Sequence, residues 1–388
     1  MSAETAPDNS WLVDYIEQGK AGQLAAPAFV TWIVTRACNL KCFYCFANAD
    51  KRDPDELSTD EALRVIDDLT DSGVFYISFI GGEPLMRKDI FTLIDHATDQ
   101  GAYAGILTNG SLVRDDTVAR LKDAGCQILG VSIDSNDPLV HDAVRGRTGS
   151  LLGARRAVED AIRADLRCSV RVVITEQSLR ALPSLFQWAR DVGVEELIIL
   201  PIFMVGRAAG SPDDRRADVL AKQNFFDALA TLRELGAPHG ISVPDETLGC
   251  VVGIELNAPD ASHHHLGHAV GFEKTIGCKV GRFIVAIQPN GEIHSCPFVH
   301  SSIGTLRTQS IREIWQHPLL VQNRAADLGC IARSMIHTGR PDVVDPTYGR
   351  STDELIAALD AEGVPAGASP GPRRSISIEA ITTPRRSR

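Results

Sequence analysis

The sequence predicts an α/β fold in which a parallel sheet is covered by helices. From about residue 29 to about residue 204, short apolar runs alternate with amphipathic helical stretches, which is the pattern of successive βα units. The length of 388 residues is enough for two domains, or for one domain with an appendage. The apolar fraction of 44% is ordinary for a globular protein.

Six apolar runs are predicted to be strands, and the stretches between them carry apolar residues at helical spacing. The strands are expected at about 29–35, 74–80, 103–108, 127–132, 168–174 and 195–200. Helices are expected at about 59–72, 115–124, 151–164 and 182–192. The first of these helices has Ser58 and Glu61 at the spacing of a capping box, which predicts its start.

The pattern changes at both ends of this region. The first 27 residues form an extension with a short helical pattern around Trp11 and Tyr15. A long helix at 215–235 leads into a loop-rich segment and then a hairpin, 283–293, whose tight turn is Asn290-Gly291. The predicted units are 1–27, 28–245, 246–345 and 346–388. The last unit contains a helix at 353–361 and a tail rich in Pro, Ser, Arg and Gly, which predicts disorder.

Composition limits the classes of partner and compartment. A formal net charge of −11 argues against nucleic acid as a partner. The chain has neither an apolar run of about 20 residues nor a secretory signal pattern, so we expect a cytoplasmic protein that does not enter membranes. Six of the nine cysteines fall into two metal-like groups, which favours a reducing compartment. Cys126 and Cys168 lie in or beside apolar runs and are expected to be core thiols.

The first cysteine group directly follows the first predicted strand. Cys38, Cys42 and Cys45 have gaps of three and two residues, so their thiolates can meet one soft metal centre from a single loop. Three ligands leave one iron of a [4Fe–4S] cluster open to a substrate or cofactor. The alternatives are a structural zinc site, which usually shows paired CxxC arms and four ligands, or three inert cysteines.

This loop, with the aromatic Tyr44 before its last cysteine, resembles the signature of the radical S-adenosylmethionine (SAM) superfamily. Further elements of the family follow at the ends of successive predicted strands, where α/β barrels place their chemistry. The resemblance covers residues 28–210 and continues with departures to about 340; it implies a partial (βα)6 barrel. The four elements are Gly81-Gly82-Glu83-Pro84, Thr108-Asn109-Gly110, Val131-Ser132-Ile133-Asp134 and Arg145-Gly146.

The resemblance implies a role for each of these residues. The three cysteines would hold the catalytic cluster, which breaks SAM to a 5′-deoxyadenosyl radical after a flavodoxin- or ferredoxin-type protein delivers an electron. Gly81, Gly82 and Glu83, with Pro84, would hold the amino group of SAM, mainly through main-chain atoms. Ser132 and Arg145 would bind its carboxylate, and Tyr44 would border the adenine. Thr108 and Asn109 would lie beside the ribose, and Asp134 would face the ribose or the substrate.

A second cysteine group resembles the opening of the SPASM and twitch extensions, which carry auxiliary iron-sulfur clusters. Cys278 and Cys296 flank the turn glycine Gly291, and a hairpin brings its two ends together. The later cysteines of the full pattern are absent except Cys330. One cluster held by Cys278, Cys296 and Cys330 is predicted, with Cys250 or an open iron in the fourth place; a domain without metal is the alternative.

A histidine cluster lies in the loop-rich segment. His263, His264, His265 and His268 are compatible with a metal site, but they lack flanking carboxylates. A surface or substrate-facing loop is the favoured interpretation.

The substrate class is open at this level. The amino-terminal half most resembles the SPASM group of maturases, such as the mycofactocin family, and more distantly enzymes of the haem d1 and pyrroloquinoline quinone pathways. We expect a small molecule or cofactor precursor as the substrate, with maturation of a ribosomally made peptide as the alternative. A non-catalytic iron-sulfur carrier is the remaining class, and it would not need Gly81 to Pro84 or Arg145.

Overall fold

The computed structural model describes residues 17–19, 21–210, 214–243, 251–257, 280–325, 330, 333, 336–337 and 352–362. Within these residues the strands form one ten-stranded sheet. The strands are β1 (Phe29–Ile33), β2 (Tyr76–Ile80), β3 (Tyr103–Thr108), β4 (Ile128–Ser132), β5 (Arg167–Ile174), β6 (Glu196–Pro201), β7 (Val252–Glu255), β8 (Ile284–Ile287), β9 (Glu292–His294) and β10 (Ser302–Thr305).

The first six strands are the six that the apolar runs predict, and they are parallel to one another. The order across the sheet is β10-β9-β8-β1-β2-β3-β4-β5-β6-β7. Strands β1 to β6 therefore lie side by side in chain order, as in a partial (βα)6 barrel. Because they are parallel, their carboxyl ends all lie at one edge of the sheet, and the family elements lie at that edge.

The helices cover the outer face of this sheet. They are α1 (Thr59–Asp71), α2 (Ile90–Asp99), α3 (Thr117–Asp123), α4 (Pro138–Arg145), α5 (Ser150–Arg163), α6 (Glu176–Val192), α7 (Asp214–Gly236), α8 (Ile311–Trp315), α9 (Pro318–Ala325) and α10 (Thr352–Ala361). None of the helices in the described ranges has the length and apolarity needed to cross a membrane.

The predicted helices are confirmed, and α1 begins at the expected capping box of Ser58 and Glu61. Helix α6 is longer than predicted: it begins after the cap residue Thr175, and Pro183, which lies at the start of the predicted helix, is inside it. Helices α2, α4, α8 and α9 were not predicted. Helix α4 has only 8 residues and starts at Asp137-Pro138, so its apolar pattern is short.

The C-terminal segment continues the same sheet. Strand β8 pairs in parallel with β1, and β9 and β10 follow in antiparallel order. The predicted hairpin is confirmed, and its turn residue Gly291 has a φ of +85°, which favours glycine. At the other edge, β7 pairs antiparallel with β6. The sheet therefore runs through the predicted boundary at 245 and 246, and the division into units stays a prediction.

The two faces of the partial barrel differ in polarity. On β5, Cys168, Val170, Val172 and Ile174 are buried in the main core between sheet and helices. Cys126 is buried in the same core, as expected for a core thiol. Because side chains alternate along a strand, the intervening residues of β5 point into the barrel interior. These interior residues are Arg167, Ser169, Arg171 and Val173.

Candidate active site

The loop after β1 carries the three cysteines at the carboxyl edge of the sheet. Cys42 is buried, Cys38 and Cys45 are half-buried, and none of them forms a disulfide. The loop is closed by backbone hydrogen bonds, since the Cys38 amide donates to the Asp50 carbonyl at 3.1 Å and the Asp50 amide donates to the Arg36 carbonyl at 2.9 Å. The thiols are therefore presented by a fixed loop.

Burial affects the protonation of these thiols. It raises the pKa of Cys38 to about 11 and raises the pKa of Cys42 as well, although the nearby Arg145 guanidinium acts in the opposite direction on Cys42. Without a bound cation the Cys38 and Cys42 thiols are thus protonated. A metal centre reverses this preference, because coordination deprotonates a thiol.

The donor set suits an iron-sulfur cluster, because three thiols of one loop are the ligands that such a cluster takes. In the part of the chain that the structure describes, no three Cys, His, Asp or Glu side chains converge on a site for one metal ion.

Gly81 and Gly82 pack directly on the cysteine loop. The Gly82 amide donates to the Thr35 carbonyl, and the Glu83 amide donates to the Ala37 carbonyl, each at 2.8 Å. A Cβ on Gly82 would lie only 2.3 Å from the Ala37 oxygen, so a side chain does not fit there. These residues fix the cysteine loop to the end of β2. Pro84 is buried and begins the short 3-10 turn Pro84–Met86 that follows.

The Glu83 carboxylate is fully buried and joins the ends of β2 and β3. It accepts hydrogen bonds from the Thr108 hydroxyl at 2.7 Å, the Asn109 amide at 2.8 Å and the Leu85 amide at 3.1 Å. Burial raises the pKa of Glu83, and its hydrogen-bond donors act in the opposite direction. The side chain thus holds the ends of β2 and β3 together.

Asn109 connects the joined ends of β2 and β3 to the cysteine loop. Its side-chain amide donates to the side-chain oxygen of Asn39 (Oδ1) at 2.9 Å, and the Asn39 side-chain nitrogen donates to the Ser111 hydroxyl at 2.7 Å. Asn39 stands next to Cys38 in the sequence and was not predicted as a site residue. No sequence motif identifies Asn39, because its role depends on Asn109, which lies 70 positions away in the sequence.

Asp134 organises the residues around Cys42. It is fully buried, its Oδ2 pairs with the Arg145 Nε and accepts from the Tyr44 hydroxyl, both at 2.7 Å, and its Oδ1 accepts from the Val173 amide at 3.2 Å. Arg145 also lies 3.8 Å from the Cys42 sulfur. Both oxygens of Asp134 therefore have partners within the chain, and they hold Arg145 and Tyr44 beside the cysteine loop.

Two neighbours complete this buried network. Burial raises the pKa of Tyr44 well above its ordinary value, so the phenol stays protonated and donates. Burial and then Arg145 lower the pKa of His141 to about 4, and its neutral ring accepts from the Asp134 amide at 3.2 Å. Ser132 is half-buried at the end of β4, on the side of the barrel interior.

A further support of the cysteine loop comes from the segment after β6. The Arg207 side chain donates to the Cys42 carbonyl at 2.8 Å and to the Ala49 carbonyl at 2.7 Å, and its amide donates to the Cys45 carbonyl at 3.0 Å. Gly206 has a φ of +60°, and a Cβ on it would lie 2.3 Å from the Cys45 oxygen. Sequence reasoning missed both residues, because a single Gly-Arg pair carries no specific signal.

Two parts of the chain match known domain families. Residues 32–189 match the radical SAM superfamily, and residues 278–335 match SPASM, an iron-sulfur cluster-binding domain. The mycofactocin maturase MftC of Mycolicibacterium smegmatis is 30% identical over 324 residues, which cover 79% of this chain and 73% of that protein. The AdoMet-dependent heme synthase of Nitratidesulfovibrio vulgaris is 30% identical over 307 residues, which cover 74% and 78%.

The chain belongs to the radical SAM superfamily. The radical SAM domain binds a [4Fe–4S] cluster and SAM, and the protein is an enzyme of the SPASM-type subgroup. This membership confirms the expected fold class, a partial radical SAM barrel with a C-terminal SPASM-type domain.

Solved structures of radical SAM enzymes share the fold. SuiB of Streptococcus suis with bound S-adenosylmethionine has a TM-score of 0.61 and 18% identity, and the match covers 88% of this chain and 82% of that one. SuiB bound to the precursor peptide SuiA gives a TM-score of 0.59 and 17% identity, with 86% and 78% covered. At this identity the likeness concerns the fold alone.

The SPASM part of this radical SAM enzyme is described only in part. Cys296 is buried and Cys330 is half-buried, and neither forms a disulfide. Cys250, Cys278 and the four clustered histidines lie outside the described residues. The ligand set of an auxiliary cluster therefore stays a prediction.

Proposed function

We propose that this enzyme cleaves SAM reductively and uses the resulting 5′-deoxyadenosyl radical to abstract hydrogen from a small molecule or cofactor precursor in a biosynthetic pathway. The outcome of that step is a dehydrogenation, a decarboxylation or a carbon–carbon bond. The observation that carries the proposal is the cysteine loop. Gly82 and Arg207 hold it at the carboxyl edge of the barrel, with the Asp134–Arg145 pair beside Cys42.

We assign cluster binding to Cys38, Cys42 and Cys45. The bound cluster and SAM supply a carbon radical once an electron arrives, and a flavodoxin- or ferredoxin-type protein is the proposed donor. The chain orients SAM and keeps water from the radical. Arg145 presents a guanidinium that suits a planar carboxylate, and Ser132 adds a hydroxyl at the same edge.

The remaining assignments follow from where each residue lies at the strand ends and the cysteine loop. We assign the amino group of SAM to main-chain atoms of Gly81, Gly82 and Glu83, next to Pro84. Thr108 and Asn109 lie on the adjacent strand end and are assigned to the ribose side, and Tyr44 to the adenine. For Asp134 we propose a positioning role in place of a ligand contact, because its oxygens already bind Arg145, Tyr44 and Val173.

A second candidate function is maturation of a ribosomally made peptide. The similarity to the mycofactocin maturase, together with the fold shared with a SuiB structure that holds a precursor peptide, favours it. The similarity to a heme synthase favours the cofactor-precursor function. A cytoplasmic location is part of the proposal, since Cys38, Cys42, Cys45, Cys126 and Cys168 form no disulfide.

The experiment that tests the proposal measures 5′-deoxyadenosine released by the anaerobically reconstituted and reduced enzyme. Extract of the native cells is divided into peptide and small-molecule fractions, and each is added separately. Stimulation by the small-molecule fraction supports the first function. Stimulation by the peptide fraction alone replaces it with peptide maturation, and absence of SAM cleavage under all conditions overturns both.

A further inference from the structure

The segment that follows Cys330 contacts the barrel through one face. Arg333, Ile336 and His337 have helical backbone, and their spacing of three and four residues places them on the same side. Ile336 packs against an apolar cluster that lies between the end of β6 and α7. The buried members of this cluster are Ile202, Met204, Ala217 and Ala221.

Asp218 on α7 is the partner of the two polar side chains of this face. It is fully buried, and its Oδ2 lies 2.6 Å from the Arg333 Nη1 and 3.2 Å from the His337 Nε2. The side chains of Arg333 and His337 are each only 7% exposed. Because the ion pair is removed from water, loss of either charge leaves the other buried and uncompensated. The pair therefore fixes the segment to α7.

The Phe203 ring links this segment to the second cysteine group. The Arg333 guanidinium lies 5.2 Å from the centroid of the Phe203 ring, which is within cation–π range. On the same ring, Phe298 stacks with its centroid at 4.3 Å. Phe298 comes two residues after Cys296, and Arg333 comes three residues after Cys330. One barrel residue thus contacts a neighbour of each cysteine.

The two cysteines suit one shared cluster. Cys296 is buried and Cys330 is half-buried, and neither forms a disulfide. Cys296 belongs to the main core, and Cys330 packs against it. Thiolates are the usual ligands of an iron-sulfur cluster. Because these two come from separate stretches of the chain, their approach depends on the contacts that hold the segment of Cys330 in place.

We infer that Asp218 is a positioning residue for the auxiliary iron-sulfur cluster. By holding Arg333 against Phe203, it keeps Cys330 on the barrel, beside the stretch that carries Cys296. The cluster is then assembled only while this segment is docked on α7. Contacts outside the ligands commonly determine how well a metal site is held. The inference rests on the proposed auxiliary cluster and not on the identity of the substrate.

The test uses the full-length protein with the three cysteines of the cysteine loop changed to Ala, so that bound iron reports the auxiliary cluster. In this parent we compare D218N, R333Q, R333K and the double variant D218N/R333Q. D227N, at an exposed position of α7, is the control. Each protein is reconstituted anaerobically and freed of unbound iron by gel filtration. Iron content, circular dichroism, urea unfolding and the electron paramagnetic resonance spectrum of the reduced protein are then measured.

We expect D218N and R333Q to be folded and to bind at least about threefold less iron than the parent, because the segment of Cys330 loses its anchor. R333K, which keeps the positive charge, should bind more iron than R333Q. The double variant should bind as much iron as D218N, since both substitutions remove the same interaction. The resonance spectrum of the remaining cluster should differ from that of the parent, and D227N should match the parent.

A second measurement shows whether the barrel is intact. In a chain with the three cysteines of the cysteine loop restored, D218N should keep about half of the wild-type iron, because the catalytic cluster retains its ligands. An ion pair with a structural role alone would lower the stability towards urea and leave the iron content and the resonance spectrum of the folded protein unchanged.

The inference is overturned if folded D218N and R333Q show the iron content and the resonance spectrum of the parent, or if the double variant binds severalfold less iron than D218N. A parent that binds no iron would overturn the auxiliary cluster and this inference together. Failure of the proposed function has a different sign. In that case the wild-type enzyme forms no 5′-deoxyadenosine with any fraction, whatever iron these variants hold.

Discussion

The buried carboxylate of Asp134 determines where the Arg145 guanidinium points. Sequence reasoning placed both residues at the site from the family resemblance, but it left Asp134 between the ribose and the substrate. In the structure the oxygens of Asp134 contact Arg145, Tyr44 and the Val173 amide. A sequence motif identifies residue types at an edge, and it does not reveal which of them bind one another.

Replacing Asp134 by Asn keeps the shape of the side chain and removes its charge. The Arg145 guanidinium then loses its buried partner, which costs about 3 kcal/mol of folding stability and misplaces the group proposed to bind the SAM carboxylate. Urea unfolding and equilibrium dialysis with SAM measure both effects, and the dissociation constant should rise at least about tenfold. The exposed Asp123→Asn change is the control; a D134N enzyme with wild-type SAM affinity would contradict the positioning role.

His141 predicts how stability depends on pH. Its pKa is lowered by burial to about 4 in the fold, from an ordinary value of 6.5. The stabilisation is therefore complete above pH 6.5 and is lost as the pH falls towards 4, because the unfolded chain takes up the proton first. Between pH 7.5 and 5.0 this amounts to about 2 kcal/mol.

The measurement is the free energy of unfolding in urea at both pH values, for the wild type and for His141→Asn. The wild type should lose about 2 kcal/mol more than the variant over this range. His294, whose pKa is also lowered to about 4, contributes a similar loss to both proteins. His239→Asn, at an exposed position, serves as the control; equal losses in H141N and wild type would refute the role of His141.

At the scale of elements, the strands were predictable and the contacts between strand ends were not. Six buried parallel strands correspond to six apolar runs in the sequence, and the apolar residues of the helices between them recur with a 3.6-residue period. Helix α4 escaped prediction because it is short, and the start of α6 because Pro183 lies inside it. The support that Arg207 gives to the cysteine loop joins residues 165 positions apart, which no local pattern encodes.

The turn after β6 allows a sharp test of that support. A Gly206→Ala change places a Cβ against the Cys45 carbonyl, at 2.3 Å, and strains a backbone with a φ of +60°. We expect the cysteine loop to shift and the iron content after anaerobic reconstitution to fall towards about half, because the proposed auxiliary cluster lies in a separate segment. Gly210→Ala separates the two effects, because Gly210 also has a positive φ, of +110°, while no described atom lies near its Cβ position. Equal iron contents in the two variants would show that the contact with Cys45 is not needed.

Over the whole molecule, the SPASM part is joined to the barrel through the sheet and the cysteine loop. Strand β8 continues the sheet beside β1, and the Arg36 side chain donates to the side-chain oxygen of Gln288 (Oε1) at 3.1 Å. The Phe298 ring lies 5.2 Å from that of Phe46 and stacks on Phe203 at 4.3 Å. The sequence predicted the hairpin and its turn, but this packing against the catalytic loop depends on contacts distant in the chain.

This organisation predicts a second site for iron. A variant with Cys38, Cys42 and Cys45 all changed to Ala loses the proposed ligands of the catalytic cluster, while Cys296 and Cys330 remain in a separate segment. After anaerobic reconstitution it should keep about half of the wild-type iron, because one of the two proposed clusters, the auxiliary one, keeps its ligands. Iron analysis and absorption spectra give the result. A variant that binds no iron would refute the prediction of an auxiliary cluster.

The most direct test of the central claim compares 5′-deoxyadenosine formation by the wild type and by Cys42→Ala, each reconstituted and reduced without oxygen. Cys42 lies in a loop, so the variant should show the circular dichroism spectrum of a folded protein. We predict that the wild type cleaves SAM and that the variant does not. Retained formation of 5′-deoxyadenosine by the folded variant would contradict the assignment of this loop to the catalytic cluster.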